Sequence, residues 1–103
     1  MFLHTVLFWL RPDLSPAQIA DFSAGLGQLM MIPTVRFRYL GTPAETDRPV
    51  IDRTYSFKLV VGFDDRAGHD VYQDIDIHLD FIKRFSSYWT KVQIYDAQGL
   101  ADC

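Results

Sequence analysis

Apolar residues first gather at positions 2–10, FLHTVLFWL, a run rich in aromatic and β-branched side chains that Arg11, Pro12 and Asp13 close. A run of this length and make-up reads as a strand buried on both sides. Alternation sets His4, Val6, Phe8 and Leu10 on one face, and Leu3, Thr5, Leu7 and Trp9 on the other. The period then changes. Ser15 suits an N-cap, Pro16 the first helical position, and Gln18 the reciprocal place in a capping box. Ile19, Phe22, Leu26 and Leu29 recur three or four residues apart, which predicts a helix over about 16–30. Gly25 and Gly27 weaken its end.

Alternation returns at 34–43, where Val35, Phe37 and Tyr39 oppose Arg36, Arg38 and Leu40, a strand with one wetter face. The polar stretch 44–52 contains Pro49 and reads as a loop or hairpin connection. TYSFKLVVGF at 54–63 is a third strand, Asp64 or Asp65 caps the helical stretch that follows, and WTKVQIYD at 89–96 is a fourth strand. No repeat or low-complexity segment divides the chain, so residues 1–103 read as one domain.

The order β-α-β-β-α-β places the chain in the α+β class as a ferredoxin-like fold, a four-stranded antiparallel sheet with its helices on one face. Strands 1 and 3 are apolar on both faces, so the sheet face away from the helices needs a cover. Composition sharpens this. The 103 residues are 49% hydrophobic and include eight Phe, five Tyr and two Trp, more aromatic surface than a small domain readily buries alone. A second copy of the chain, docked through the sheet, is the expected cover.

The second helical stretch raises a geometric question. In VYQDIDIHLDF (71–81), Tyr72 and His78 are six residues apart, about 600° around one straight helix, and so lie on different faces. Counted from Ile77, the apolar residues fall at about 0° (Ile77), 40° (Phe81), 80° (Phe85) and 140° (Ile82), with His78 inside the stripe at about 100° and Leu79 outside it. Upstream, Gly68, Val71 and Ile75 share a face, with Tyr72 at its edge and His69 on the solvated side. Asp76 is a good N-cap and a poor helix-interior residue. A break at 74–76 with Asp76 as the cap turns both halves inward and aims Tyr72 and His78 at one space. His4 joins them if its strand face is the one the helices cover.

The net charge of −3 argues against a nucleic-acid partner, which requires a basic face. The single cysteine, Cys103, allows no internal disulfide and suggests no metal site. The apolar start of the chain lacks a basic leader and a cleavage site and is too short to span a bilayer, so no membrane partner is expected and the cytoplasm is the default location. The three histidines lack metal-ligand spacing, no carboxylate–histidine pair stands out, and neither a metal nor a cofactor is expected.

HTVLFWLRPDLSPAQIADF (4–22), GFDDRAGHDVYQDIDIHLDF (62–81) and YWTKVQIYD (88–96), in that order, resemble the stress-responsive dimeric α/β-barrel domain family over nearly the whole chain. The family pattern has an early His, matched by His4, and a stretch running from a Tyr to His-Pro-x-His. Tyr72 and His78 match its Tyr and second His, while Ile75 and Asp76 stand where His-Pro is usual. The resemblance implies two ferredoxin-like subunits whose sheets face each other to form a barrel. A plant polyketide cyclase of this family closes its substrate without a cofactor, using the Tyr and His as an acid–base pair with the early His nearby.

On that pattern His78 is the base, Tyr72 the donor to a developing oxyanion, and His4 an orienting group. Phe8, Phe81 and Phe85 are the expected walls for a small apolar organic ligand. The favoured reading is a cofactor-free cyclase or isomerase of a polyketide-like or other oxygenated molecule. A non-catalytic dimer that binds a metabolite or acts under stress is the second, and a cofactor-free monooxygenase the third. Each residue also has a plainer role: a histidine on an apolar helix face ordinarily bonds to backbone, and a tyrosine at such an edge ordinarily packs with its hydroxyl in water.

Overall fold

In the computed structural model, which describes residues 1–100, strand β1 (Phe2–Leu10) lies at the heart of the sheet. Around it run α1 (Pro16–Leu29), β2 (Phe37–Gly41), β3 (Phe57–Phe63), α2 (Arg66–Asp74), α3 (Asp76–Phe85), a single 3-10 turn at Ser86–Tyr88 and β4 (Trp89–Gln98). The strand order is β2-β3-β1-β4 and every neighbour pair is antiparallel, the ferredoxin-like arrangement expected from the pattern. Cys103 lies outside the described residues.

Register decides which side chains the helices cover. Leu59 and Val61 of β3 are opposite Val6 and His4, and all four are buried. The helix-covered face of β1 is therefore Phe2, His4, Val6 and Phe8. The bare face carries Leu3, Thr5, Leu7 and Trp9, with Phe37 and Tyr39 of β2 and Tyr95 of β4 beside them in register. Phe37 is 44% and Tyr39 52% exposed, far more than rings on a sheet that has found its cover.

The ends of the elements obey local chemistry. Ser15 and Gln18 complete the capping box: the Ser15 hydroxyl accepts from Gln18 N at 3.1 Å and the Gln18 side chain accepts from Ser15 N at 2.8 Å. Phe22, Leu26 and Leu29 are buried as expected, but Ile19 is exposed. Further along, α1 meets α3 at Gly25. Gly25 is needed there, because a Cβ at this position would lie 2.6 Å from the Phe85 ring. Strand β2 is shorter than the alternation implied, since Val35 leaves the ladder to plug the core. Strand β3 starts only at Phe57, with Thr54 held instead in a turn by Asp52.

Helix α2 corrects one expectation outright. Its inward face is Gly68, His69 and Tyr72, not Val71, which is 52% exposed. Asp65 caps the helix through Gly68 N, and Gly68 packs closely on Phe63, which turns the helix by about one residue from the wheel position. In α3 the buried stripe narrows to Phe81 and Phe85; Ile77 and Ile82 flank it and are exposed.

Candidate functional site

The chain does bend between Tyr72 and His78, at Ile75. Helix α2 closes with Ile75 N donating to Val71 O at 3.1 Å; Ile75 then takes extended angles (φ −74°, ψ 148°), and its carbonyl accepts from both His78 N and Leu79 N to start α3. Asp76 is not the cap that was expected. It occupies the first turn, where its charge suits the positive end of the helix, and Ile75 caps with backbone alone. The break brings the Tyr72 and His78 rings to 5.0 Å, edge to face. The His4 ring lies 5.8 Å from Tyr72 on the other side.

These three side chains share the wall of a cavity of about 150 Å³ between the sheet and the two short helices. Gln73 is the remaining polar side chain on that wall. Val6, Phe8, Leu29, Leu59, Phe81 and Trp89 supply apolar surface, and Ile82, Val92 and Ile94, each partly exposed, mark the opening between α3 and β4. Of the expected ligand walls, Phe8 and Phe81 belong to the cavity. Phe85 does not: it is sunk between Phe22, Phe81 and Tyr88 against Gly25.

The polar groups differ sharply in how they are satisfied. His78 Nδ1 is buried with no hydrogen-bond partner among the described residues. Burial lowers its pKa, with the nearby His4 and His69 acting in the same direction and Asp74 opposing them, so the ring is neutral near pH 7. Burial pushes the Tyr72 hydroxyl far above its ordinary value, which makes it a hydrogen-bond donor that does not ionise. His4 pairs through Nδ1 with Asp96 at 2.5 Å, and burial outweighs this partner to leave its pKa lowered too.

Two participants went unforeseen. Asp96 makes the carboxylate–histidine pair that no sequence spacing suggested; the antiparallel β1–β4 register sets it directly opposite His4. His69, assigned to the solvated side, packs its ring 4.6 Å from Phe2 and 4.9 Å from His4. The alternation Val92, Ile94, Asp96 was a readable sign of a shared face in β4. Its distance from His4 required the pairing.

A ferredoxin-like subunit with an aromatic-walled cavity under its helices and a bare sheet face is the class of protein defined here. The chain belongs to the Stress responsive A/B Barrel Domain family, which it matches over residues 2–98. A ferredoxin-like protein of that family from Mesorhizobium loti is 24% identical, with a TM-score of 0.78 and 97% of each chain covered. Hydroxynitrile lyase from Passiflora edulis is 22% identical with a TM-score of 0.77, covering 93% of this chain and 90% of that one. A dimeric ferredoxin-like protein of unknown function from Thermobifida fusca is 21% identical with a TM-score of 0.75, covering 93% and 88%. At these identities the likenesses establish the fold. Among curated proteins, none matches the sequence. No helix among the described residues is long and apolar enough to cross a membrane.

Proposed function

We propose that the protein is a homodimeric α/β-barrel enzyme whose own side chains carry out acid–base chemistry, without an organic cofactor, on a small oxygenated molecule with an apolar body. The observation that carries this reading is the unpartnered Nδ1 of His78 on the wall of an apolar cavity. A buried nitrogen left without a partner costs about 1–3 kcal/mol, and a ligand proton or hydroxyl placed against it recovers that energy.

The steps follow from the protonation states. Neutral His78 takes a proton from the carbon beside a carbonyl. Charge moves to the carbonyl oxygen, where the Tyr72 hydroxyl donates a hydrogen bond in a site shielded from water. The enolate then attacks a second carbonyl in the same molecule, the new alkoxide taking back the proton held by His78 to complete ring closure. Alternatively, where a neighbouring double bond extends it to a dienolate, it takes that proton at the γ-carbon, giving isomerisation. His4, fixed by Asp96, orients Tyr72 or the substrate. A void of about 150 Å³ is the size of a single six-membered ring, so the substrate is short rather than a long linear polyketide. The subunits pair through the bare face that carries Leu3, Leu7, Phe37 and Tyr39, whose exposed rings need a cover; that solved relatives are dimeric supports pairing itself.

The test needs no knowledge of the natural substrate. Ring-sized ketones and β-diketones are incubated with the protein in D₂O, and deuterium entry beside the carbonyl is followed by NMR. Exchange above the buffer rate is expected, falling about 10²-fold or more in His78→Ala and less in Tyr72→Phe. Exchange that His78→Ala leaves intact, or no exchange with any probe, overturns the proposal.

A further inference from the structure

We propose that His4, His69 and Asp96 form a binding site for a divalent first-row transition-metal ion, with coordination positions left open on the Asp96 side. These residues come from β1, α2 and β4, and one ligand atom from each lies within 4.8 Å of the other two. His4 Nδ1 and Asp96 Oδ1 are already 2.5 Å apart. An ion bound at about 2.0–2.2 Å needs its donor atoms roughly 3–3.5 Å from one another. Side-chain rotation reaches that geometry: the pair opens slightly and His69 moves in.

The residues able to move are on the accessible side. The Asp96 side chain is 40% exposed and that of His69 13%, while His4 at 4% supplies the fixed ligand. Two imidazoles and one carboxylate suit a borderline ion such as Zn²⁺, Co²⁺ or Fe²⁺, rather than Mg²⁺ or Ca²⁺, which select oxygen ligands. Supporting contacts are in place. His69 Nδ1 lies 3.2 Å from Asp70 and Nε2 3.2 Å from Gln73, so binding exchanges one long hydrogen bond and leaves the other to orient the ring. The Phe2 and Phe63 rings flank the same imidazole. Nothing in the acid–base scheme uses His69, so the site goes beyond that scheme. It borrows His4 from the cavity wall and leaves Tyr72 and His78 untouched.

Co²⁺ alone is the probe, titrated into the full chain after chelator treatment and followed by its visible d–d absorption. One saturating equivalent per chain is expected. Asp96→Asn, which keeps an acceptor for His4 and hence the fold, and His69→Ala in α2 should each weaken binding about tenfold or more. His78→Ala should bind as the unsubstituted protein does. Saturable absorption that survives the Asp96→Asn, His69→Ala double substitution would place the ion elsewhere and overturn the proposal. So would absorption lost in His78→Ala, or no saturable band at millimolar Co²⁺. None of these readings depends on catalytic turnover, so the metal site and the acid–base proposal fail separately.

Discussion

The helix-covered face of the sheet has two ends built on opposite terms. At one end Phe22, fully buried, meets the rings of Phe57, Phe85 and Tyr88, together with Phe8, Phe81 and Trp89, which also border the cavity, and Gly25 in α1 lets the Phe85 ring of α3 come close. At the other end the same sheet carries His4, Tyr72 and His78 around a cavity, with a buried nitrogen left unbonded. Tight aromatic packing at the first end supplies the stability that permits an underpacked, underbonded region at the second. Stability and chemistry are divided along one surface.

Substitutions test this division. Phe22→Ala at the filled end should cost about 3–5 kcal/mol in urea unfolding, because no neighbour can collapse into the hole. Gly25→Ala should cost about 1–3 kcal/mol despite better helix propensity, since the new methyl meets the enclosed Phe85 ring. At the cavity end the sign should change. His78→Leu removes the unbonded nitrogen and should leave stability unchanged or raise it by up to about 1 kcal/mol, while abolishing proton exchange. A His78→Leu protein as damaged as Phe22→Ala would erase the distinction between the two ends.

Acid provides the subtlest comparison. Both His4 and His78 have pKa values lowered from 6.5, so below that pH the unfolded chain binds more protons than the folded one. Stability should hold steady above about pH 6.5 and decline as the pH falls below it, with a shallower decline in His78→Leu. Urea midpoints measured between about pH 8 and pH 5 read this directly. A profile flat through this range would mean that neither imidazole is held neutral by its surroundings.

Much of the fold could be read from spacing because each element carries its own local signal: the continuous aromatic-rich apolar run of β1, the Ser15–Gln18 capping box, and the helix-averse Asp-Ile-Asp at the junction of α2 and α3. The bend that unites Tyr72 and His78 was readable for the same reason, although Ile75 and not Asp76 makes it. What spacing could not show depends on contacts between elements. In a helix as short as α2, the choice between Val71 and Tyr72 as the inward residue rests on how closely Gly68 approaches Phe63. Phe85 has the right helical angle for the cavity, but the Gly25 crossing captures it. Asp96 and His69 meet His4 only through strand register and helix rotation, properties with no local signature across positions 4, 69 and 96.

The break at Ile75 leaves helices of nine and ten residues, both below the length at which a helix persists by itself in water. A peptide spanning them, cut from the chain, would hold Tyr72 and His78 in no fixed relation. Their alignment is lent by the sheet beneath them, so the pair should come apart in the same cooperative transition that melts the protein. Proton-exchange activity would then serve as a gauge of the native population, with no partly unfolded form retaining it.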